Sequence, residues 1–330
     1  MSFKAFRISQ IEGGIQAGFE ELEINDLSTG EVVVRVQYSG INYKDALAAT
    51  GTGRIIRVPA VNGGVDLVGV VDSSSDDRFT AGDAVLICGA GLSETIDGGY
   101  AEYARVNADV LVPLPAGLSP WEVGALGTAG FTAALAMMRL EDNHQQPSLG
   151  PIVVTGATGG VGSFAVDMLA AKGFEVTAFT GKGDQHEYLR TLGASHFIDR
   201  HTVEMGTKPL EKAQYGGAVD NVGGEALAWL TRTVSPMGNI ASIGLAGGFK
   251  LETTVMPFIL RGVSILGINS VEMPLTMRDQ AWQRLASDLK PVHIDQIASR
   301  TIAFNDLPGA FDDFVNGRVT GRVVVEIGGG

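Results

Sequence analysis

The run Val154-Thr155-Gly156-Ala157-Thr158-Gly159-Gly160-Val161-Gly162 joins a short apolar stretch, 152–155, to an apolar helical pattern over 161–172. A strand that turns through glycines into a helix points several backbone N–H groups at one place, and glycine lets an anion come close to the backbone. That chemistry suits a dinucleotide pyrophosphate. Gly159 allows the close approach, and Gly162 allows helix and strand to pack. Ala157 stands where the usual fingerprint has its first glycine, a departure a small residue can bear.

The end of the next strand discriminates between dinucleotides. An Asp or Glu there accepts from the ribose 2′-hydroxyl of NAD. Here it reads Phe179-Thr180-Gly181-Lys182, so a hydroxyl and an ammonium replace the acid. Both suit a 2′-phosphate, and Arg200, just past the third strand, adds a second positive charge. The expected cofactor is therefore NADPH, with Asp184 as the one residue that could still favour NAD.

Other chemistries lack their residues. A single cysteine, Cys88, cannot make a four-thiolate zinc site, and His144, His196, His201 and His293 show no ligand spacing. In His186-Glu187 the zincin pattern fails because position 190 is Arg. All five histidines read as surface or packing residues, and the expected metal complement is none. No G-x-S-x-G elbow occurs, and no Tyr is followed four residues on by Lys. The reactivity must come from the nicotinamide and from the shape of its surroundings.

The rest of the chain has to position these residues. It has 330 residues, 45% hydrophobic and 18% charged, which is enough for two domains with real cores. A net charge of −13 argues against nucleic acid or an anionic membrane as a general partner. No apolar run approaches the roughly 20 residues of a membrane span, and a lone cysteine suits a reducing cytoplasm. The first third reads as β-rich, with strands expected at 31–38, 65–71, 83–88 and 100–106. Ser119-Pro120 starts a helix expected to run to about Leu140. From Pro151 strands and helices alternate, with strands at 152–155, 175–179, 196–198, 218–221, 239–243 and 264–268, the pattern of a doubly wound parallel sheet. The tail suggests helices at 278–289 and 307–316 and strands at 301–304 and 322–327.

At this point the chain resembles a known family. Asn42-Tyr43-Lys44-Asp45, Gly63-Gly64-Val65-Asp66-Leu67-Val68-Gly69, Ala81-Gly82-Asp83 and Gly98-Gly99-Tyr100-Ala101-Glu102-Tyr103 precede the glycine loop. Asp220-Asn221-Val222-Gly223-Gly224 and Arg261-Gly262-Val263-Ser264-Ile265-Leu266-Gly267-Ile268-Asn269-Ser270 follow it. This order is similar to that of zinc-free, quinone-oxidoreductase-like medium-chain dehydrogenases/reductases, over essentially the whole chain. Val65 takes the place where zinc-bearing cousins have a histidine ligand. Together with Thr180-Gly181-Lys182, the motif set looks most like the acrylyl-CoA reductase branch, which reduces acrylyl-CoA to propionyl-CoA with NADPH. The resemblance implies an α/β fold: a GroES-like β-barrel substrate domain (1–122 and 271–330) interrupted by a Rossmann NADPH-binding domain (123–270).

The resemblance also implies sites. Tyr43 should lie near the nicotinamide half, Thr158, Gly159, Gly160 and Val161 on the phosphates, and Thr180, Gly181, Lys182 and Arg200 around the 2′-phosphate. Leu245 follows a strand end where ligands sit in such sheets, with core packing as the alternative for it and for Ile259. Ile259, Ser270 and Asn316 match further places in the family pattern. Tyr43 is the expected proton donor to the α-carbon, with water or a stacking role as alternatives. Lys44 would lower the Tyr43 pKa, or else pair with Asp45. Asp45, Asp66 and Asp220 order backbone rather than react. Among the arginines 54, 57, 318 and 322, Arg54 and Arg322 are the expected contacts to the CoA phosphates, with solvated surface arginines as the alternative. A homodimer is expected through strand 264–268, whose apolar edge needs a cover. The rival readings are an NADPH-dependent quinone or enal reductase and a non-catalytic NADPH-binding sensor.

Overall fold

The computed structural model describes residues 2–328. In chain order it contains β1 (Ser2–Ile11), β2 (Gly14–Glu23), β3 (Val32–Gly40), α1 (Tyr43–Thr50), β4 (Ala60–Asn62), β5 (Asp66–Ser74), β6 (Ala84–Cys88), β7 (Tyr103–Val106), β8 (Val112–Pro113) and α2 (Pro120–Asp142). Next come β9 (Ile152–Thr155), α3 (Gly160–Ala171), β10 (Val176–Thr180), α4 (His186–Thr191), β11 (Ala194–Asp199), β12 (Tyr215–Asp220), α5 (Gly224–Thr233), β13 (Val234–Ser242), α6 (Met256–Arg261) and β14 (Ser264–Gly267). The tail adds α7 (Leu275–Leu285), α8 (Ile294–Ile297), β15 (Arg300–Ala303), α9 (Leu307–Val315) and β16 (Val323–Glu326). Two structural units result. One holds the residues up to Phe131, Ser270–Ser287 and those from Ile294 on; the other holds Thr132–Asn269 and Asp288–His293.

The first unit is built on two sheets. One runs β2-β1-β4; the other runs β15-β16-β3-β5-β6-β8, with β7 also paired to β3. Pairing is antiparallel except between β15 and β16. Inward residues of β1 and β3, among them Phe6, Ile8, Val32, Val34 and Val36, share a core with Val85 and Ile87 of β6 and with Phe311 of α9. The opening hairpin β1-β2 had no counterpart among the expected strands. Gly13 turns it with φ 91°, and its second strand, GIQAGFEELE, mixes apolar, charged and glycine residues and buries Leu22 alone.

The second unit is a six-stranded parallel sheet in the order β11-β10-β9-β12-β13-β14. Relative to β9 this is 3-2-1-4-5-6, the doubly wound order, in which ligands gather at the carboxyl ends where the winding reverses. The central strand β9 explains the order: Ile152, Val153 and Val154 are fully buried, and removing each such side chain from water contributes about 1.5–3 kcal/mol. The edge strand β14 has three half-buried residues followed by exposed Gly267.

Helix α2 is long and apolar enough to cross a membrane by length and composition, but most of that apolar stretch is buried inside the protein. Its helical path breaks at Gly127, with φ 46° and ψ −153°, a backbone that a side chain would strain. The break leaves groups to satisfy: Thr128 N donates to Asp66 Oδ1 at 2.7 Å, and the Ala125 carbonyl accepts from Arg322 Nε at 3.0 Å.

Candidate cofactor site and active-site motif

The phosphate loop forms as the glycine pattern requires. After β9 the chain turns through Gly156 at φ 59° and enters α3 with Gly159 as N-cap, which has no side-chain cap bond to offer. First-turn amides of a helix lack intrahelical acceptors, so this end is suited to an anion, with Thr158, Gly159, Gly160 and Val161 in the loop. Gly162 is fixed by packing: a Cβ there would stand 2.3 Å from the Gly156 carbonyl oxygen. Behind the loop, Tyr188 Oη of α4 donates to Ser163 Oγ at 2.9 Å, and Ser163 Oγ donates to the Ala157 carbonyl at 3.3 Å. Burial pushes the Tyr188 phenol up to about 12. Nothing in the glycine pattern pointed to this brace, because it depends on two helices meeting.

At the end of β10, Thr180 Oγ1 accepts from Lys182 N at 3.1 Å and the Thr180 carbonyl accepts from Arg200 N at 3.0 Å. Strands β10 and β11 pair Thr180 with Asp199, which delivers Arg200 to the side of Gly181. A Cβ on Gly181 would lie 2.5 Å from Arg200 Nε and 2.5 Å from His201 Nε2. Arg200, 20 positions on from Thr180, is thereby brought beside Thr180, Gly181 and Lys182. Burial pushes the Lys182 ammonium down; Asp184 opposes that shift and Arg200 adds to it.

At the carboxyl ends of β12 and β13 a cavity of about 260 Å³ is lined by Gly223, Gly224, Leu227, Ser242, Leu245 and Phe249, among others. Asp220 orders its wall, accepting from Thr155 Oγ1 at 2.6 Å and Gly223 N at 2.9 Å, and burial raises its pKa. Leu245 is 67% exposed, so it is not core. Ile259 is 71% exposed on α6, in the company of exposed Val255 and Leu260. Core packing is thus ruled out for both residues.

In the first unit Tyr43 opens α1 and is half exposed. Asp45, one turn in, accepts from Asn42 N at 2.8 Å and Val65 N at 3.0 Å. Burial first, and the nearby Asp66 second, push its carboxyl up to about 6. Two expectations need correction here. Lys44 does not pair with Asp45: its ammonium pairs with buried Glu94, which also receives Arg57 at 3.5 Å. A carboxylate this close offsets the Lys44 charge that was expected to act on Tyr43. Arg322 is not a surface contact for CoA. It is buried, pairs with Asp66 at 3.2 Å, and donates to the Ile41 carbonyl and Asn42 Oδ1. Asp66 and Arg322 were legible as residues, but their pairing was not.

Arg54 is exposed, and Arg318 is tied to Asp313 at 2.9 Å. Asn316 ends α9, with Nδ2 donating to the Asp312 carbonyl at 2.7 Å. The Ser270 carbonyl lies 3.1 Å from where a Gly89 Cβ would be. Val65 and Cys88 are buried, and burial raises the Cys88 thiol. Among the described residues no three His, Cys, Asp or Glu side chains gather as a metal site. The donor set, with Val65 at the ligand position, does not fit zinc.

A GroES-like β unit and a doubly wound dinucleotide unit in one chain define an oxidoreductase of the medium-chain class. Family models agree: "Alcohol dehydrogenase GroES-like domain" matches residues 28–116 and "Zinc-binding dehydrogenase" matches 160–287. The acrylyl-CoA reductase AcuI of Ruegeria pomeroyi is 45% identical over 316 residues, 96% of each chain. YhfP of Bacillus subtilis, which carries a provisional quinone oxidoreductase name, is 45% identical over 98% of this chain and 99% of its own. Its crystal structure, with NAD bound, covers 99% of this chain and 100% of that one at a TM-score of 0.96. The yhdH oxidoreductase of Salmonella enterica, in complex with NADP, is 45% identical and covers 98% of this chain and 100% of that one at a TM-score of 0.95. The chain belongs to the medium-chain dehydrogenase/reductase family, among its quinone-oxidoreductase-like members.

Proposed function

We propose that the protein reduces the carbon–carbon double bond of a small enoyl-CoA with NADPH, acrylyl-CoA being its best substrate. The observation that carries the cofactor is the convergence of Thr180, Lys182 and Arg200 around Gly181, with no acid at the strand end. It is a pocket for a 2′-phosphate rather than for a bare ribose hydroxyl. The substrate rests on the AcuI likeness over nearly the whole chain.

When bound, NADPH supplies the hydride that reaches the β-carbon. Negative charge then gathers on the thioester oxygen, and a proton must reach the α-carbon to complete the addition. Tyr43 is the protein group we assign to that proton: the residue stands half exposed at the start of α1. The Asn42–Asp45 bonds hold that start in place. Exposed Arg54 is the remaining arginine assigned to CoA phosphates. Two copies pair through β14, burying its half-covered Ile265 and Leu266, and the setting is the cytoplasm.

A panel of acrylyl-CoA, crotonyl-CoA, quinones and enals with NADPH, followed at the nicotinamide absorbance, tests this. Acrylyl-CoA should give the highest kcat/KM. Crotonyl-CoA should be slower, one methylene of misfit being worth roughly ten- to 200-fold. The YhfP likeness favours quinone or enal reduction as the second reading; a higher kcat/KM on those substrates would replace the first. Stoichiometric NADPH binding without turnover would make the protein a sensor.

A further inference from the structure

His201 reads from its spacing as a surface or packing residue, yet the fold places it beside Gly181. Gly181 is the reason. With no Cβ at that position, the Arg200 guanidinium and the His201 imidazole both rest against the end of β10, each 2.5 Å from where a Cβ would be. Arg200 Nε lies 3.4 Å from His201 Nε2. The His201 backbone is fixed independently, its N–H donating to Asp199 Oδ1 at 2.8 Å. One imidazole edge and one guanidinium edge therefore share the space beside Gly181, next to Lys182 and close to the Thr180 hydroxyl.

We propose that His201 is a specificity-determining residue for the 2′-phosphate, donating to it as an imidazolium and adding a third positive charge to those of Lys182 and Arg200. This rests on the NADPH reading above. The physical argument is charge balance. Two cations in one small pocket repel, and a neutral imidazole can accept from Arg200 Nε–H. A dianionic phosphate reverses that preference, because it draws a proton onto the ring and turns His201 from acceptor to donor. The charged groups facing the ring are Arg200 and Asp199 from the end of β11, and Lys182 and Asp184 from the loop after β10. The proton drawn onto the ring comes from solvent, so the preference for the phosphorylated cofactor becomes pH-dependent.

The test is calorimetric titration of the full chain with 2′,5′-ADP and with 5′-AMP at about pH 6 and about pH 8, using wild type, His201→Gln and His201→Lys. At the lower pH His201→Gln should weaken 2′,5′-ADP about tenfold, and at the higher pH less than about twofold, with 5′-AMP unchanged at both. Ionisation of the phosphate itself is common to all variants and cancels in the ratios. His201→Lys should restore 2′,5′-ADP affinity at both pH values. A loss equal at both pH values, or shared by 5′-AMP, would overturn the proposal, as would a His201→Gln protein that binds like wild type. If wild type itself binds 2′,5′-ADP no better than 5′-AMP, the NADPH reading falls with it.

Discussion

Arg322 Nη2 lies 3.2 Å from Asp66 Oδ2 with both side chains almost wholly buried, and this pair closes the break in α2. Asp66 takes the amide of Thr128 and Arg322 takes the carbonyl of Ala125. Removing either partner leaves a buried charge and an unsatisfied backbone group. Arg322→Met should therefore cost about 3–5 kcal/mol, read by urea unfolding. If the variant is as stable as wild type, the pair does not hold the kink.

Gly162 admits no side chain, since the Gly156 carbonyl oxygen would lie 2.3 Å from its Cβ. Gly162→Ala should cost about 1–3 kcal/mol and displace the phosphate loop, raising the KM for both NADPH and NADH. Gly309→Ala, where nothing lies within 4 Å, is the control and should be neutral or stabilising by up to about 1 kcal/mol. Equal behaviour of the two variants would refute the packing argument.

In the proposed pocket Lys182 bears on the 2′-phosphate alone. Losing a charge-assisted contact costs roughly 1.5–3 kcal/mol, so Lys182→Ala should raise the NADPH KM about tenfold or more and leave NADH nearly unchanged. Steady-state kinetics with both cofactors decide it; a matched rise in both KM values would count against the assigned pocket.

Asp45 gives a pH signature. Its carboxyl is raised from 3.8 to about 6 in the folded protein. The folded state thus holds a proton that the unfolded state releases, and stability from this group falls as pH rises from about 4 to about 6. The full effect is about 3 kcal/mol. The stability of wild type minus that of Asp45→Asn should be greatest near pH 4 and shrink by that amount toward neutrality. A difference independent of pH would show that Asp45 titrates normally.

The proposed pairing of two copies runs through the edge strand β14. Light scattering at micromolar concentration should report a homodimer, and Leu266→Asp should shift it to monomer by charging that edge. A wild-type monomer would remove the pairing through β14.

The glycine loop, the alternation of strand and helix after Pro151 and the missing acid at the end of β10 were all legible in the chain, because each is a local pattern of backbone freedom or burial period. Short elements were harder. Helix α1 has eight residues and too few turns to display a period, and α5 starts on Gly223 and Gly224 at positive φ, which reads as a loop.

What the sequence determined by itself, then, was the class of fold and the dinucleotide loop, since those follow from neighbours in the chain. Tertiary structure alone decided which charges meet. Asp66 and Arg322 are 256 residues apart, Lys44 and Glu94 are 50 apart, and no periodicity records such distances. The sequence put Arg322 on the surface because arginine is usually exposed. The fold buried it because a kinked helix left a carbonyl and a carboxylate that only a guanidinium with several donors could satisfy together.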